Sequence, residues 1–124
     1  MPHELMLQFG CLGAITANGT SYLAPGNGST QSNELKIRVP RPGSSGTSTY
    51  GGASRPVQPT APISYTVRVN GVDTVITCTL DNATSGQDIT HAVPIAQGDA
   101  ISIKLVSNNA ADASADVTAS LMLT

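Results

Sequence analysis

The run from Ile63 to Leu80 constrains this chain more than any other part of it. Ile63, Tyr65, Val67 and Val69 alternate with Ser64, Thr66 and Arg68. Asn70-Gly71 follows, and Val72, Thr74, Ile76, Cys78 and Leu80 continue the alternation. A period of two places successive side chains on opposite faces of a strand, and Asn-Gly readily adopts the left-handed backbone of a two-residue hairpin turn. The run predicts a β-hairpin with one buried face.

The remaining apolar segments have the same period. Leu5, Leu7, Phe9 and Cys11 predict a strand over Glu4 to Leu12, near the centre of a sheet. Short strands are expected on either side of Asn18-Gly19, between Ala14 and Leu23. Glu34 to Val39 alternates Leu35, Ile37 and Val39 with Lys36 and Arg38, and Pro40 ends it because proline cannot donate to a ladder. Ile89 to Ile95 reads as a strand interrupted near Pro94. Gln97-Gly98-Asp99 then turns into Ala100 to Val106, with Ile101, Ile103 and Leu105 on one face. Asp116 to Thr124 alternates Val117, Ala119, Leu121 and Leu123, which should pin the C-terminus in a sheet. About eight short strands at roughly 8–12-residue spacing predict an all-β, antiparallel jelly roll or β-sandwich, and 124 residues fit a single domain.

Composition agrees, since 13 Ser and 14 Thr accompany few strong helix formers. Aromatic residues are only 3% of the chain, so the core must be aliphatic and hydroxylated. Such a monomer should be modestly stable, and trimeric association would add burial. The segment from Pro40 to Pro62 holds most of the eight prolines and little apolar surface. It reads as an extended arm or long loop, unless Thr47 to Tyr50 forms a short strand or another chain orders it.

Several functions lack the residues they need. Charged residues are 11% of the chain, the net charge is -2 and no basic stripe exists, which argues against nucleic acid as a partner. Apolar runs are shorter than a bilayer span, and Met1-Pro2-His3-Glu4 has no basic region leading into an apolar one, so neither a membrane nor a secretory route is expected. His3 and His91 are the whole imidazole supply, too few for a cupin-like metal site. Asp81, Asn82 and Asp88 flank one loop with oxygen ligands, but without EF-hand spacing they read as turn caps. There is no GxSxG elbow. Cys11 and Cys78 fall on the apolar parity of their strands and read as buried thiols, with a disulfide between them as the alternative. Asn18, Asn27 and Asn82 open Asn-x-Ser/Thr triplets that read as polar turns. No catalytic residue, metal site or cofactor is expected.

The block from Tyr65 to Leu105 carries YTVRVNG, TCTL, HAVPI and GDAISIKL. It resembles a recurrent module of tailed-phage and prophage structural proteins, and ELKIRVPRPG at Glu34 to Gly43 fits its upstream part. GDAISIKL and the final strand are also similar to the late strands of trimeric tumour-necrosis-factor-like jelly rolls. This resemblance implies a capsid decoration, or cement, protein of the phage head. Its partners would be two further copies, as a homotrimer, and the major capsid protein, and it would reside on the virion surface after synthesis in the host cytoplasm. The pattern has a strand where Ser44 to Pro62 runs as low-complexity sequence. Arg41, Tyr50 and Arg55 are the expected interface anchors in that segment, because Arg and Tyr are enriched where interfaces concentrate binding energy. The alternative is a tail-fibre tip or glycan-binding module, for which Tyr22 and Tyr50 are the aromatic candidates to stack on sugars.

Overall fold

The computed structural model describes residues 5–10, 19–26, 34, 37–38, 46–47, 52–54, 63–80, 85–88, 90–96, 98–107 and 117–123. These residues form strands and turns and no helix. In chain order the strands are β1 (Leu5–Gly10), β2 (Gly19–Tyr22), β3 (Ala24–Pro25), β4 (Ile37–Arg38), β5 (Gly46–Thr47) and β6 (Gly52–Ser54). They continue as β7 (Ile63–Val69), β8 (Val72–Leu80), β9 (Ser85–Gly86), β10 (Ala92–Val93), β11 (Ala100–Ser107) and β12 (Thr118–Leu123).

One sheet runs β3-β1-β12-β6-β9 and the other β2-β11-β7-β8, with β4 also on β11; β5 and β10 pair separately. Setting aside β3 and β4, which only flank β1 and β11, and the separate β5–β10 pair, eight framework strands remain. Numbered among themselves, they read first-eighth-third-sixth in one sheet and second-seventh-fourth-fifth in the other. That order is the double Greek key of a jelly roll, and every ladder in it is antiparallel. The expected all-β sandwich is the observed fold. Both ends of the described chain lie in one ladder, where Leu5 pairs with Leu123 and Gly10 with Thr118.

The core is built from inward-facing rows. Ser21, Leu105, Tyr65 and Cys78 stand in register across four strands, and all four are buried. Leu7 and Phe9 of β1 and Ala119 and Leu121 of β12 meet them from the opposite sheet, with Val117 beside them, in one continuous cluster. Phe9 is the only phenylalanine, so branched aliphatics fill most of this space. Strand β11 has neighbours on both sides, and only Lys104 and Val106 of its eight residues are not fully buried.

Two departures from the sequence pattern have local causes. Val72, expected on the buried face, is 66% exposed. The β7–β8 register is irregular between Thr66 and Arg68: Thr66 faces Thr77, but Arg68 faces Asp73. Two extra residues on β8 displace its side of the hairpin, so Val72 stands in solvent although its partner Val69 still packs against the core. Thr74 mends the interrupted ladder, donating through Oγ1 to the Val67 carbonyl at 2.7 Å and accepting from the Ile76 amide at 3.2 Å. Likewise, the strand expected over Ile89 to Ile95 reduces to β10. Thr90 and His91 are taken up by capping contacts to Asp88, Ile89 lies outside the described residues, and Pro94 has no amide hydrogen to continue the ladder.

The segment Pro40 to Pro62 is not arm throughout. Its residues 46–47 pair with β10, and its residues 52–54 lie between β12 and β9 within the same chain. Short strands are therefore present within the segment, built from glycine and small residues whose pairing comes from their neighbours. Gly86 on β9 shows why small residues suit this region. A Cβ there would stand 2.7 Å from Leu80 Cδ2 and 3.0 Å from Cys78 Sγ. Gly86→Ala is accordingly expected to destabilise the fold by about 1–3 kcal/mol, since Leu80 is buried and must shift into a filled core; urea denaturation followed by circular dichroism measures it.

Candidate functional site

The outward face of β2-β11-β7-β8 carries the densest group of charges among the described residues. Strand alternation that sends Tyr65 and Val67 inward sends Arg68 outward, and the β7–β8 pairing sets Asp73 opposite it. Arg68 Nη1 donates to Tyr22 Oη at 2.9 Å and lies 2.9 Å from Glu34 Oε2. Its Nε is 3.0 Å from Asp73 Oδ1, and its Nη2 donates to the Gly71 carbonyl. Lys104 Nζ reaches the other Asp73 oxygen, Oδ2, at 2.5 Å. The guanidinium carbon is 5.7 Å from the centroid of the Tyr22 ring, within cation–π range.

Burial decides the weight of these contacts. The side chains of Arg68 and Glu34 are only 18% and 13% exposed, whereas Asp73 is 48% exposed. The Arg68–Glu34 pair is therefore poorly screened and strongly dependent on both partners, while the Asp73 contacts resemble ordinary surface pairs. Two carboxylates, a carbonyl and a phenol occupy the guanidinium fork, so Arg68 is committed to joining strands. Tyr22, a candidate for sugar stacking, has its hydroxyl bonded to Arg68 and a cation near its ring.

A second group lies beside the edge strand β8. Asp88 is buried and accepts through Oδ1 from the amides of Thr90 and His91 at 3.1 and 3.2 Å. The Thr90 hydroxyl donates to the same oxygen at 3.2 Å. Oδ2 accepts from the Thr77 amide at 3.2 Å and from His91 Nδ1 at 2.8 Å. Burial pushes the Asp88 carboxyl up, but these donors, His91 foremost, outweigh it and hold the group at about 2. Asp88 thus works as the turn cap its residue type and loop position suggest. His91 is half exposed, just before β10.

Cys78 is a buried free thiol, pushed up chiefly by desolvation and secondarily by the Asp88 charge. It is unsuited to nucleophilic work in that state. The anchors Arg41, Tyr50 and Arg55 lie outside the described residues, as do His3, Cys11, Asp81 and Asn82. Among the described residues, no three His, Cys, Asp or Glu side chains gather as metal ligands. Sequence reasoning missed the Arg68 network. Its available signal was three ionisable residues, Arg68, Asp73 and Lys104, at outward positions of adjoining strands; Glu34 comes from far along the chain.

No protein-family model matches the chain, and no curated protein does. Among solved structures, the Paenibacillus sp. cycloisomaltooligosaccharide glucanotransferase complexed with cycloisomaltoheptaose is similar at 16% identity with a TM-score of 0.36. The match covers 73% of this chain and 12% of that one. An uncharacterized Listeria monocytogenes EGD-e protein, solved with glucose, magnesium and calcium, is similar at 16% identity and a TM-score of 0.35. There the match covers 73% of this chain and 8% of the other. This chain spans only a small part of either protein, and likenesses of this size leave function to be argued from its own residues.

Two outcomes test the site. Arg68→Leu removes the guanidinium that Glu34 meets in a poorly solvated position and leaves Asp73 to Lys104; it is expected to cost about 2–3 kcal/mol. Arg68→Lys should recover only part of that, because an ammonium cannot span the same acceptors; urea midpoints decide both. For Asp88, the folded value of about 2 lies below the ordinary 3.8. Its stabilisation is therefore complete above the unfolded value and is lost as pH falls through the folded one. Wild type should exceed Asp88→Asn by about 1–2 kcal/mol at pH 6. The gap should shrink below about pH 4 and close near pH 2 in urea titrations.

Proposed function

We propose that the protein is a non-catalytic structural component of a tailed-phage particle, a capsid decoration protein that binds the outside of the head as a homotrimer. The observation that carries this reading is the placement of the resembling block. Residues 65–105 supply most of β7, all of β8 and most of β11, and the ionisable groups described there are engaged in framework contacts. Arg68, Asp73 and Lys104 tie three strands together, Asp88 and His91 cap a turn, and Asp99 holds the hairpin tip. A module whose charges serve its own architecture suits a protein that acts by being rigid and placed.

On this reading, docking falls to residues other than the Arg68 network, and the expected anchors are Arg41, Tyr50 and Arg55 of the segment Pro40 to Pro62. Docking by a proline-rich segment loses less chain entropy than docking by a freely jointed one. The fibre-tip alternative needs an aromatic surface free to stack on sugar, and the engagement of Tyr22 by Arg68 weighs against it.

The test is to add purified protein to parent heads lacking it and image the particles by electron microscopy. Trimeric density on the capsid surface is the expected result, with sedimentation equilibrium giving three copies. Density at the tail, or no binding with a monomer in solution, overturns the proposal. Arg41→Ala with Arg55→Ala should weaken head binding at least about tenfold if these residues are binding hot spots.

A further inference from the structure

The tip of the β7–β8 hairpin joins a reactive sequence to a restraint. Asn70 and Gly71 both have left-handed backbones, with φ of 53° and 81°, and Asn70 is exposed. In an Asn-Gly pair, no side chain hinders the following amide. The Gly71 nitrogen can attack Asn70 Cγ, forming a C–N bond while the carboxamide nitrogen leaves as ammonia. Water then opens the resulting succinimide to aspartate or isoaspartate. The reaction consumes only solvent and the chain itself.

Here the reacting side chain is held on both sides. Asn70 Nδ2 donates to Asp99 Oδ1 at 3.0 Å, and Oδ1 accepts from the Ala100 amide at 2.9 Å. The Asn70 amide also donates to the Ala100 carbonyl at 2.8 Å. Asp99 is itself fixed, accepting through Oδ2 from the Ala96 amide at 2.8 Å while its own amide donates to the Ala96 carbonyl at 3.1 Å. Ring closure requires Asn70 to leave the left-handed well and its carboxamide to swing toward Gly71, which breaks both carboxamide contacts, to Asp99 and to the Ala100 amide.

We infer that Asn70 is a deamidation site held in check by Asp99 and the start of β11, and that its product unlatches the hairpin tip. The carboxylate formed from Asn70 has no hydrogen to offer Asp99 and stands against it as a like charge. Isoaspartate also adds a backbone atom to a two-residue turn. The latch thus slows its own destruction, and once lost it does not re-form.

The experiment incubates the folded protein and the same chain in urea at pH 8 and 37 °C. Peptide mass spectrometry then follows the one-dalton gain at Asn70, resolved from Asn18-Gly19 and Asn27-Gly28. The folded protein should react at least about tenfold more slowly than the denatured chain, as expected for a latch using a charged acceptor. Asp99→Ala should recover most of that difference. Equal rates in folded and denatured wild type overturn the inference, as does an Asp99→Ala protein that folds by circular dichroism and reacts no faster. Should Asp99→Ala fail to fold, the decision passes to Asn70→Asp, which should lower the thermal midpoint, and to Asn70→Asp with Asp99→Asn, which should recover it. No recovery in that pair also overturns the inference.

Discussion

The arrangement depends on the pairing of β11 with its neighbours. That strand lies against β2, β4 and β7, and its Ile101, Ile103 and Leu105 enter the core. In a chain with one phenylalanine and no tryptophan, no single large side chain can dominate the interior. Cohesion must come from many branched residues held in register, and β11 supplies the register. Three separate polar contacts lock that position: Leu23 to Ile103, Asn70 to Ala100, and Lys104 to Asp73.

The outward face does different work. Ser64 pairs with Thr79 at 3.1 Å and Thr66 with Thr77 at 3.4 Å, so facing hydroxyls satisfy one another along the β7–β8 ladder. Such cross-strand pairs contribute a few tenths of a kcal/mol each. Arg68 adds more because it draws Glu34 to the face presented by β7 and β8, and a poorly screened pair is costly to break. A lightly aromatic core and a heavily bonded outer face are complementary answers to one composition.

The hairpin, the Asn70-Gly71 turn, the Gly98-Asp99 turn and the pinned C-terminus were legible because each rests on local periodicity or turn chemistry. The strands inside Pro40 to Pro62 were not, since Gly46-Thr47 and Gly52 to Ser54 have no apolar alternation and pair only because β10, β12 and β9 are already in place. Val72 keeps the parity of the buried row but stands in solvent, because the displacement of β8 between Thr77 and Asp73 leaves no trace in a period-two pattern. Asp88 was legible as a cap. The Arg68 network was not, because Glu34 is brought to it by tertiary structure alone.

The Asp88 carboxylate bears on how copies of this molecule can meet. Among the described residues β8 ends its sheet, and an unpaired strand edge invites another chain to extend it. Asp88 already holds the Thr77 amide midway along that edge, so an incoming strand would have to displace a buried, multiply bonded anion before it could dock. Open-ended growth by strand addition is thereby disfavoured at the very place where the sheet would otherwise continue. Contacts between copies that avoid this edge, through faces and loops, meet no such obstacle.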